Sequence, residues 1–161
     1  MSNQILQGGR ALEVIPSDYA NIPFPAIVTI GLNSDVISPN QLVDPNVEFI
    51  AANVKIGDIV YNITSQLAAT VTKVVGQNTL NLNADIFTVY NCEYIIYQAS
   101  SETGNGNMGC VFYVGGNGDV NVVTTGQDNV TFFGMNKGSF VPMHVLKITG
   151  ATTATKIVAI W

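Results

Sequence analysis

The sequence predicts an all-β protein made of two small antiparallel β modules, one sandwich- or jelly-roll-like and the other small and barrel-like, with one inserted in the other. Three observations lead to this fold class. Apolar residues recur with a period of two, turn-forming sequences separate the apolar segments at short intervals, and two linker-like seams divide the chain of 161 residues.

Apolar and polar residues alternate along most of the chain. Residues 80–83 have the sequence Leu-Asn-Leu-Asn, residues 119–122 Asp-Val-Asn-Val and residues 129–132 Asn-Val-Thr-Phe, and residues 54–61 alternate on either side of a Gly-Asp pair. Such a pattern places the apolar side chains on one face of a half-buried antiparallel strand. No window shows a 3.6-residue apolar stripe with helix caps, and we expect at most one short helical turn, within residues 40–52.

Turn-forming sequences follow the strands closely. Residues 76–78, 115–118, 126–129 and 136–138 contain Gly, Asn or Asp, which reach positive φ at low energetic cost. Short strands joined by such turns are typical of sandwiches and barrels. We expect residues 115–118, Gly-Gly-Asn-Gly, to form a hairpin turn.

Two seams predict the domain organisation. Residues 100–109 form a Gly-rich, polar linker, and residues 23–25, Pro-Phe-Pro, require extended backbone. Between the seams, residues 29–103 form an inserted barrel-like module. Residues 1–28, an extended N-terminal arm, and residues 108–161 form the other module, and we expect the arm to pack across another element or subunit.

The end of the chain predicts an ordered strand. Residues 156–161 are mostly apolar β formers, so we expect them to pair inside a sheet with Trp161 packed. Residues 141–148 are apolar on both faces. We therefore expect that strand to be covered on both sides, by a second sheet or by a neighbouring subunit.

Composition narrows the class of protein. Charged residues make up 11% of the chain, against about a quarter in an average protein, and the net charge is −5. Low surface charge promotes association between proteins. The six Lys and Arg residues are scattered rather than clustered, so we expect no nucleic-acid binding. No apolar run reaches the length of a membrane span and no signal peptide is recognisable, so we expect no membrane partner and synthesis in the cytoplasm.

Residues that could carry chemistry form no catalytic pattern. Cys92 and Cys110 are most simply two buried thiols, with a disulfide between them left open. His144, the single His, lies in an apolar strand without a Ser or Cys motif for which it could act as a base. The Gly104-x-Gly106-x-x-Gly109 spacing lacks the helix that a dinucleotide phosphate requires. We therefore predict a protein that is not an enzyme and holds no cofactor or metal.

The outer segments resemble a known class of proteins. Residues 16–23 (PSDYANIP), 112–120 (FYVGGNGDV), 130–132 (VTF), 138–142 (GSFVP) and 149–161 (TGATTATKIVAIW) follow one another in this order. They resemble virion surface proteins of phages and gene transfer agents, of the head spike-base or capsid-decoration type. In shorter proteins of that class the two outer pieces lie close together in sequence.

The segment between them resembles a second phage module, small and barrel-like. Its marks are residues 54–62 (VKIGDIVYN), 69–71 (ATV), 80–87 (LNLNADIF) and 94–97 (YIIY). The insertion departs from the shorter pattern, so the position on a particle does not carry over directly.

These resemblances imply a non-enzymatic virion structural protein, a capsid decoration, cement or spike-base protein on the capsid surface. Its implied partners are the major capsid protein, a spike or fibre protein, and copies of itself in a trimer or pentamer. The alternative is a receptor- or glycan-binding module of a tail or spike, which predicts exposed aromatic residues beside Asn and Asp at one sheet end. The residues that we expect at a subunit or capsid interface are Pro16, Ile22, Pro23, Phe24, Phe140, Pro142 and Trp161.

Overall fold

The computed structural model describes residues 9–33, 37–99 and 109–161, and the regular structure in these ranges consists of β-strands alone. This confirms the predicted all-β class. The twelve strands are β1 (Ala11–Glu13), β2 (Ile27–Leu32), β3 (Gln41–Val43), β4 (Ile59–Asn62), β5 (Leu67–Val74), β6 (Thr79–Leu82), β7 (Glu93–Tyr97), β8 (Cys110–Gly116), β9 (Gly118–Thr124), β10 (Asn129–Met135), β11 (Phe140–Ile148) and β12 (Thr155–Ile160).

The strands form two six-stranded antiparallel sheets. The terminal sheet has the order β1-β12-β8-β11-β9-β10 and takes its strands from the two ends of the described chain. The central sheet has the order β2-β7-β4-β5-β6-β3 and uses strands from residues 27–97 alone, and one of the two sheets is curled into half a barrel. All strands of the central sheet therefore lie in sequence between β1 and β8 of the terminal sheet.

Each sheet buries its own apolar core on one face. In the terminal sheet the alternating residues Phe112, Val114, Val120 and Val122 are fully buried, as the period of two predicts. Burial of one such side chain contributes about 1.5–3 kcal/mol. These residues fix which face of each strand points inwards, and the alternate residues point away from the core.

The core of the central sheet combines aromatic rings with one polar pair. Phe49 and Phe87 pack on the ring of Tyr94 with centroid distances of 6.4 and 6.1 Å. The Tyr94 hydroxyl donates a 2.7 Å hydrogen bond to Oδ2 of Asp44, and both residues are buried. Because Asp44 Oδ1 accepts the N–H of Asn46, each carboxylate oxygen has a partner.

The arm connects the two sheets. Ile15 and Ala20 pack on Ile59, Tyr61 and Tyr97 of the central sheet in a separate apolar cluster. Upstream, β1 pairs with β12 of the terminal sheet. Before β2, residues 9–26 of the arm contain β1 and otherwise no regular structure, and they contact both sheets.

Pairing inside the terminal sheet differs from the sequence prediction at residues 115–118. β8 and β9 follow one another through Asn117, yet β11 lies between them in the sheet, so no hairpin forms. Cys110 and Thr124, at the outer ends of β8 and β9, both lie opposite Val145. The segment therefore bends around β11. The turn residues cause this bend, but they do not determine which strand pairs with β8 and β9.

In the central sheet, the short turn expected within residues 40–52 is present, but the alternating residues 54–56 differ from expectation. Residues 40–52 contain the strand β3 followed by a single turn, in which the N–H of Ala52 donates to the carbonyl of Glu48 at 2.9 Å. Residues 54–56 alternate in sequence but form no strand, and Ile56 is 70% exposed. The buried carboxylate of Asp58 explains this, since it accepts the N–H of Lys55 at 2.8 Å and holds the segment in a turn.

The predictions for the last strand, β12, and for β11 have different outcomes. The last strand, β12, pairs with β1 and β8, which confirms the predicted ordered terminus. Within the described chain no second sheet covers both faces of residues 141–148, and their coverage by a neighbouring subunit stays a prediction. A register shift between Val141 and Val145 leaves Pro142, Met143 and His144 exposed, and only the second half of β11 is buried.

Candidate functional site

The seven predicted interface residues occupy different environments. Ile22, 2% exposed, and Pro23 are buried inside the chain and present almost no surface to a partner, and Pro16 is half-buried where the arm crosses the central sheet. The alternation of apolar residues in the arm could not show this, because the arm is buried by the chain's own sheets.

Phe24 and Trp161 are half-buried against each other. Their ring centroids are 6.2 Å apart in an edge-to-face arrangement, and the guanidinium of Arg10 lies 5.0 Å from the centre of the Phe24 ring. Cation–aromatic and edge-to-face contacts of this kind stabilise a local fold. The two aromatic residues therefore anchor the arm to the last strand of the terminal sheet.

Phe140 and Pro142 are the two predicted residues that are exposed. Phe140 is 46% exposed and lies opposite Tyr113 of β8, which lies opposite Val158 of β12. Residues directly opposite on neighbouring strands point to the same side of a sheet. Phe140, Tyr113 and Val158 thus form a row across three strands, which we call the outer apolar face.

A second exposed apolar surface lies on β2, at one edge of the central sheet. Ile27, Ile30 and Leu32 are exposed, at 59%, 61% and 48%. We call these three residues the β2 edge. They are not among the residues predicted at an interface, because the position of a strand at the edge of a sheet depends on the topology.

The backbone of β2 can pair with a further strand. The N–H of Asn33 donates to the carbonyl of Cys92, and the N–H of Cys92 donates to the Asn33 side chain. Because backbone direction alternates along a strand, the N–H and C=O groups of Gly31 and Thr29 also point towards β7. In the remaining pairs, at Ile30 and Leu32, the N–H and C=O groups point away from β7. An edge strand with outward-pointing backbone groups and no charged residue is a site for strand addition.

The groups that could carry chemistry are enclosed or separate. Cys92 and Cys110 are free, buried thiols in different apolar cores, and burial raises the pKa of Cys110 to about 12. His144 is exposed on β11. Among the described residues, no three His, Cys, Asp or Glu side chains are grouped so that they could hold a metal ion.

The described ranges also contain no helix long and apolar enough to cross a membrane. The predicted linker and the glycine motif within it lie outside the described residues, apart from Gly109.

Tyr61 is buried where the arm meets the central sheet. Its hydroxyl has no hydrogen-bond partner among the described residues, although the backbone of Ile15 lies near enough to favour the ionised form. Burial therefore raises the pKa of Tyr61 well above its ordinary range. The ring itself packs edge-to-face on Tyr97 at 5.3 Å, so its role is apolar packing under the arm.

Comparison of this chain with protein-family models, with curated proteins and with solved structures finds no match.

Proposed function

We propose that this chain is a non-enzymatic structural subunit of a virus or phage particle, a capsid decoration, cement or spike-base protein that works through contacts with neighbouring subunits. The observation that carries the proposal is the exposure of apolar side chains on both sheets, at the outer apolar face and the β2 edge. A chain with only 11% charged residues has little charge with which to keep such surfaces apart.

The energetics favour assembly through these surfaces. Removing an Ile or Leu side chain fully from water contributes about 1.5–3 kcal/mol, and Ile30 is 61% exposed. In a symmetric contact each residue is buried twice, once in each copy. The β2 edge adds backbone hydrogen bonds, which fix the register of a partner strand.

The particle setting rests on the resemblance of residues 16–23, 112–120, 130–132, 138–142 and 149–161 to virion surface proteins. The first of these segments lies in the arm, and the others lie in and beside the strands of the terminal sheet, which carries the outer apolar face. The partners that follow from this setting are the major capsid protein, a spike or fibre protein, and further copies of the chain in a trimer or pentamer.

Two measurements test the proposal. The mass of the purified protein is determined by light scattering over a range of concentrations, and its binding to empty capsids is determined by co-sedimentation. We expect an oligomer or a capsid-bound protein, and we expect Ile30→Lys or Phe140→Lys to reduce association. Val75→Lys, at a side chain that is 50% exposed in the turn between β5 and β6, is the matched control and leaves association unchanged.

Far-UV circular dichroism of each variant verifies that the sheets are intact. A protein that stays monomeric at every concentration and remains in the supernatant with capsids contradicts the proposal. So does a loss of association with Val75→Lys that equals the loss with Ile30→Lys.

A further inference from the structure

A cleft of about 480 Å³ lies where the arm crosses the central sheet. Its walls come from five parts of the chain: the arm, the residue before β3, the start of β5, the segment after β6, and the turn before β12. The residues that bear on its chemistry are Asp18, Tyr19, Asn40, Asn83 and Asp85. Clefts of this size hold small ligands that are recognised by a few converging polar groups.

The backbone of Tyr19 is fixed from both sides. Its carbonyl oxygen accepts hydrogen bonds from Thr70 Oγ1 at 2.9 Å and from Asn83 Nδ2 at 2.6 Å, and its N–H donates to Ser17 Oγ at 3.0 Å. The ring is nevertheless 56% exposed. The fixed backbone therefore keeps the exposed ring of Tyr19 at the cleft, so that less backbone freedom is lost when a ligand binds.

The polar groups of the cleft are mainly acceptors. Asp18 Oδ1 accepts the N–H of Gly150 at 3.0 Å, which orients the carboxylate, and its Oδ2 makes no hydrogen bond to the described residues. The Asp85 side chain is exposed and makes none to the described residues either. The Asn83 amide, held by Thr70 and Tyr19, keeps one further donor and one further acceptor position.

The charge of the cleft selects the ligand. The lining residues, all of them described, include two carboxylates and no Lys, Arg or His, and beside them Lys147 Nζ donates to the backbone carbonyl of Asp18 at 3.0 Å. Because two carboxylates outweigh this one ammonium group, a phosphate, sulfate or carboxylate ligand is disfavoured there, whereas hydroxyl groups can donate to the carboxylates. An apolar ligand would leave the carboxylates without partners. A sugar ring satisfies both features, since its hydroxyls pair with Asp18 and Asp85 while its C–H face lies on an aromatic ring.

We propose that this cleft binds a neutral saccharide, with one sugar ring on Tyr19 and hydroxyl groups donated to Asp18 and Asp85. This site is distinct from the outer apolar face and the β2 edge. A particle protein with such a cleft would contact a carbohydrate surface while its apolar surfaces hold it in the assembly.

The test uses the full chain and defined probes: maltohexaose, cellohexaose and N-acetylchitohexaose, with a sialylated oligosaccharide as the acidic arm. Binding is followed by titration calorimetry and by NMR chemical-shift changes. We expect at least one neutral probe to bind and the acidic one not to bind. Tyr19→Ala weakens binding roughly tenfold, the upper range for one aromatic contact, and Asp85→Ala weakens it further.

Tyr90→Ala is the matched control, because Tyr90 is 55% exposed but does not line the cleft. It leaves binding unchanged. The proposal is overturned if no neutral probe binds at millimolar concentration, if only the acidic probe binds, or if Tyr90→Ala weakens binding as much as Tyr19→Ala. Ile30→Lys, which tests assembly, leaves saccharide binding intact, so failure of one proposal is distinguishable from failure of the other.

Discussion

Replacing Gly31 with alanine tests the polar pair in the core of the central sheet. Gly31 lies on β2 opposite Tyr94 of β7. A Cβ atom added to Gly31 would lie 2.5 Å from the Tyr94 hydroxyl oxygen and 2.8 Å from Cζ of the same ring, and in still closer contact with Asp44 Oδ2. The added methyl group therefore occupies the space of the Tyr94–Asp44 hydrogen bond.

Two costs determine the magnitude. Breaking a buried hydrogen bond to a carboxylate costs about 1.5–3 kcal/mol, because the donor and the acceptor are both left in the interior. Overpacking a well-filled core costs about 1–3 kcal/mol more, since β2 or the Tyr94 ring must move. We expect Gly31→Ala to lower the free energy of unfolding by about 3–5 kcal/mol.

The measurement is urea unfolding followed by far-UV circular dichroism, with Tyr94→Phe as the second member of a double-mutant cycle. Tyr94→Phe alone should cost about 1.5–3 kcal/mol. In the Tyr94→Phe background, Gly31→Ala should cost about 1–2 kcal/mol less than in the parent chain, because the hydrogen bond is already lost.

Gly76→Ala is the matched control. No atom outside its chain neighbours lies within 4 Å of a Cβ atom added there, and Gly76 is not among the residues with positive φ. We expect it to be neutral or to stabilise by about 0.4–1 kcal/mol. A cost of less than 1 kcal/mol for Gly31→Ala, or strict additivity with Tyr94→Phe, would refute the account of this core.

Two further predictions concern buried titratable groups. Tyr61→Phe removes a buried hydroxyl that lacks a partner, so we expect the free energy of unfolding in urea to rise by about 1 kcal/mol; a loss of similar size would reveal a hydrogen bond at that hydroxyl. Burial raises the pKa of Cys110 from 9.0 to about 12, so the neutral thiol is favoured in the fold. The corresponding stability is fully present below pH 9 and is lost as the pH rises towards 12. Cys110→Ala should therefore show a smaller fall in unfolding free energy between pH 9 and 12, and an unchanged pH profile would contradict this.

Local rules predicted the class of the fold. The alternation in residues 80–83, 119–122 and 129–132 corresponds to real strands, because a period of two is a property of the extended backbone itself. The same rule failed at residues 54–56, where the buried carboxylate of Asp58 holds the backbone in a turn. A residue 41 positions away, Ala99, also donates to that carboxylate, and no local pattern contains such a contact.

The candidate sites also include residues that local patterns predict and residues that depend on long-range contacts. Phe140 and Pro142 were predicted at an interface and are exposed, whereas Ile22 is enclosed by the chain's own sheets. Exposure depends on which strand lies at an edge and which segment crosses a face. The β2 edge was not selected from sequence for this reason, and the cleft at Tyr19 joins residues more than 60 positions apart.

The all-β class, the low charge and the ordered terminal strand could be predicted from the sequence alone, because backbone periodicity and side-chain polarity act over a few residues. Only the folded chain shows that β11 separates β8 from β9, that the arm contacts both sheets, and that no described strand pairs with the β2 edge. Those features depend on long-range pairing and on competition among strands for the same neighbours, which a local pattern does not record.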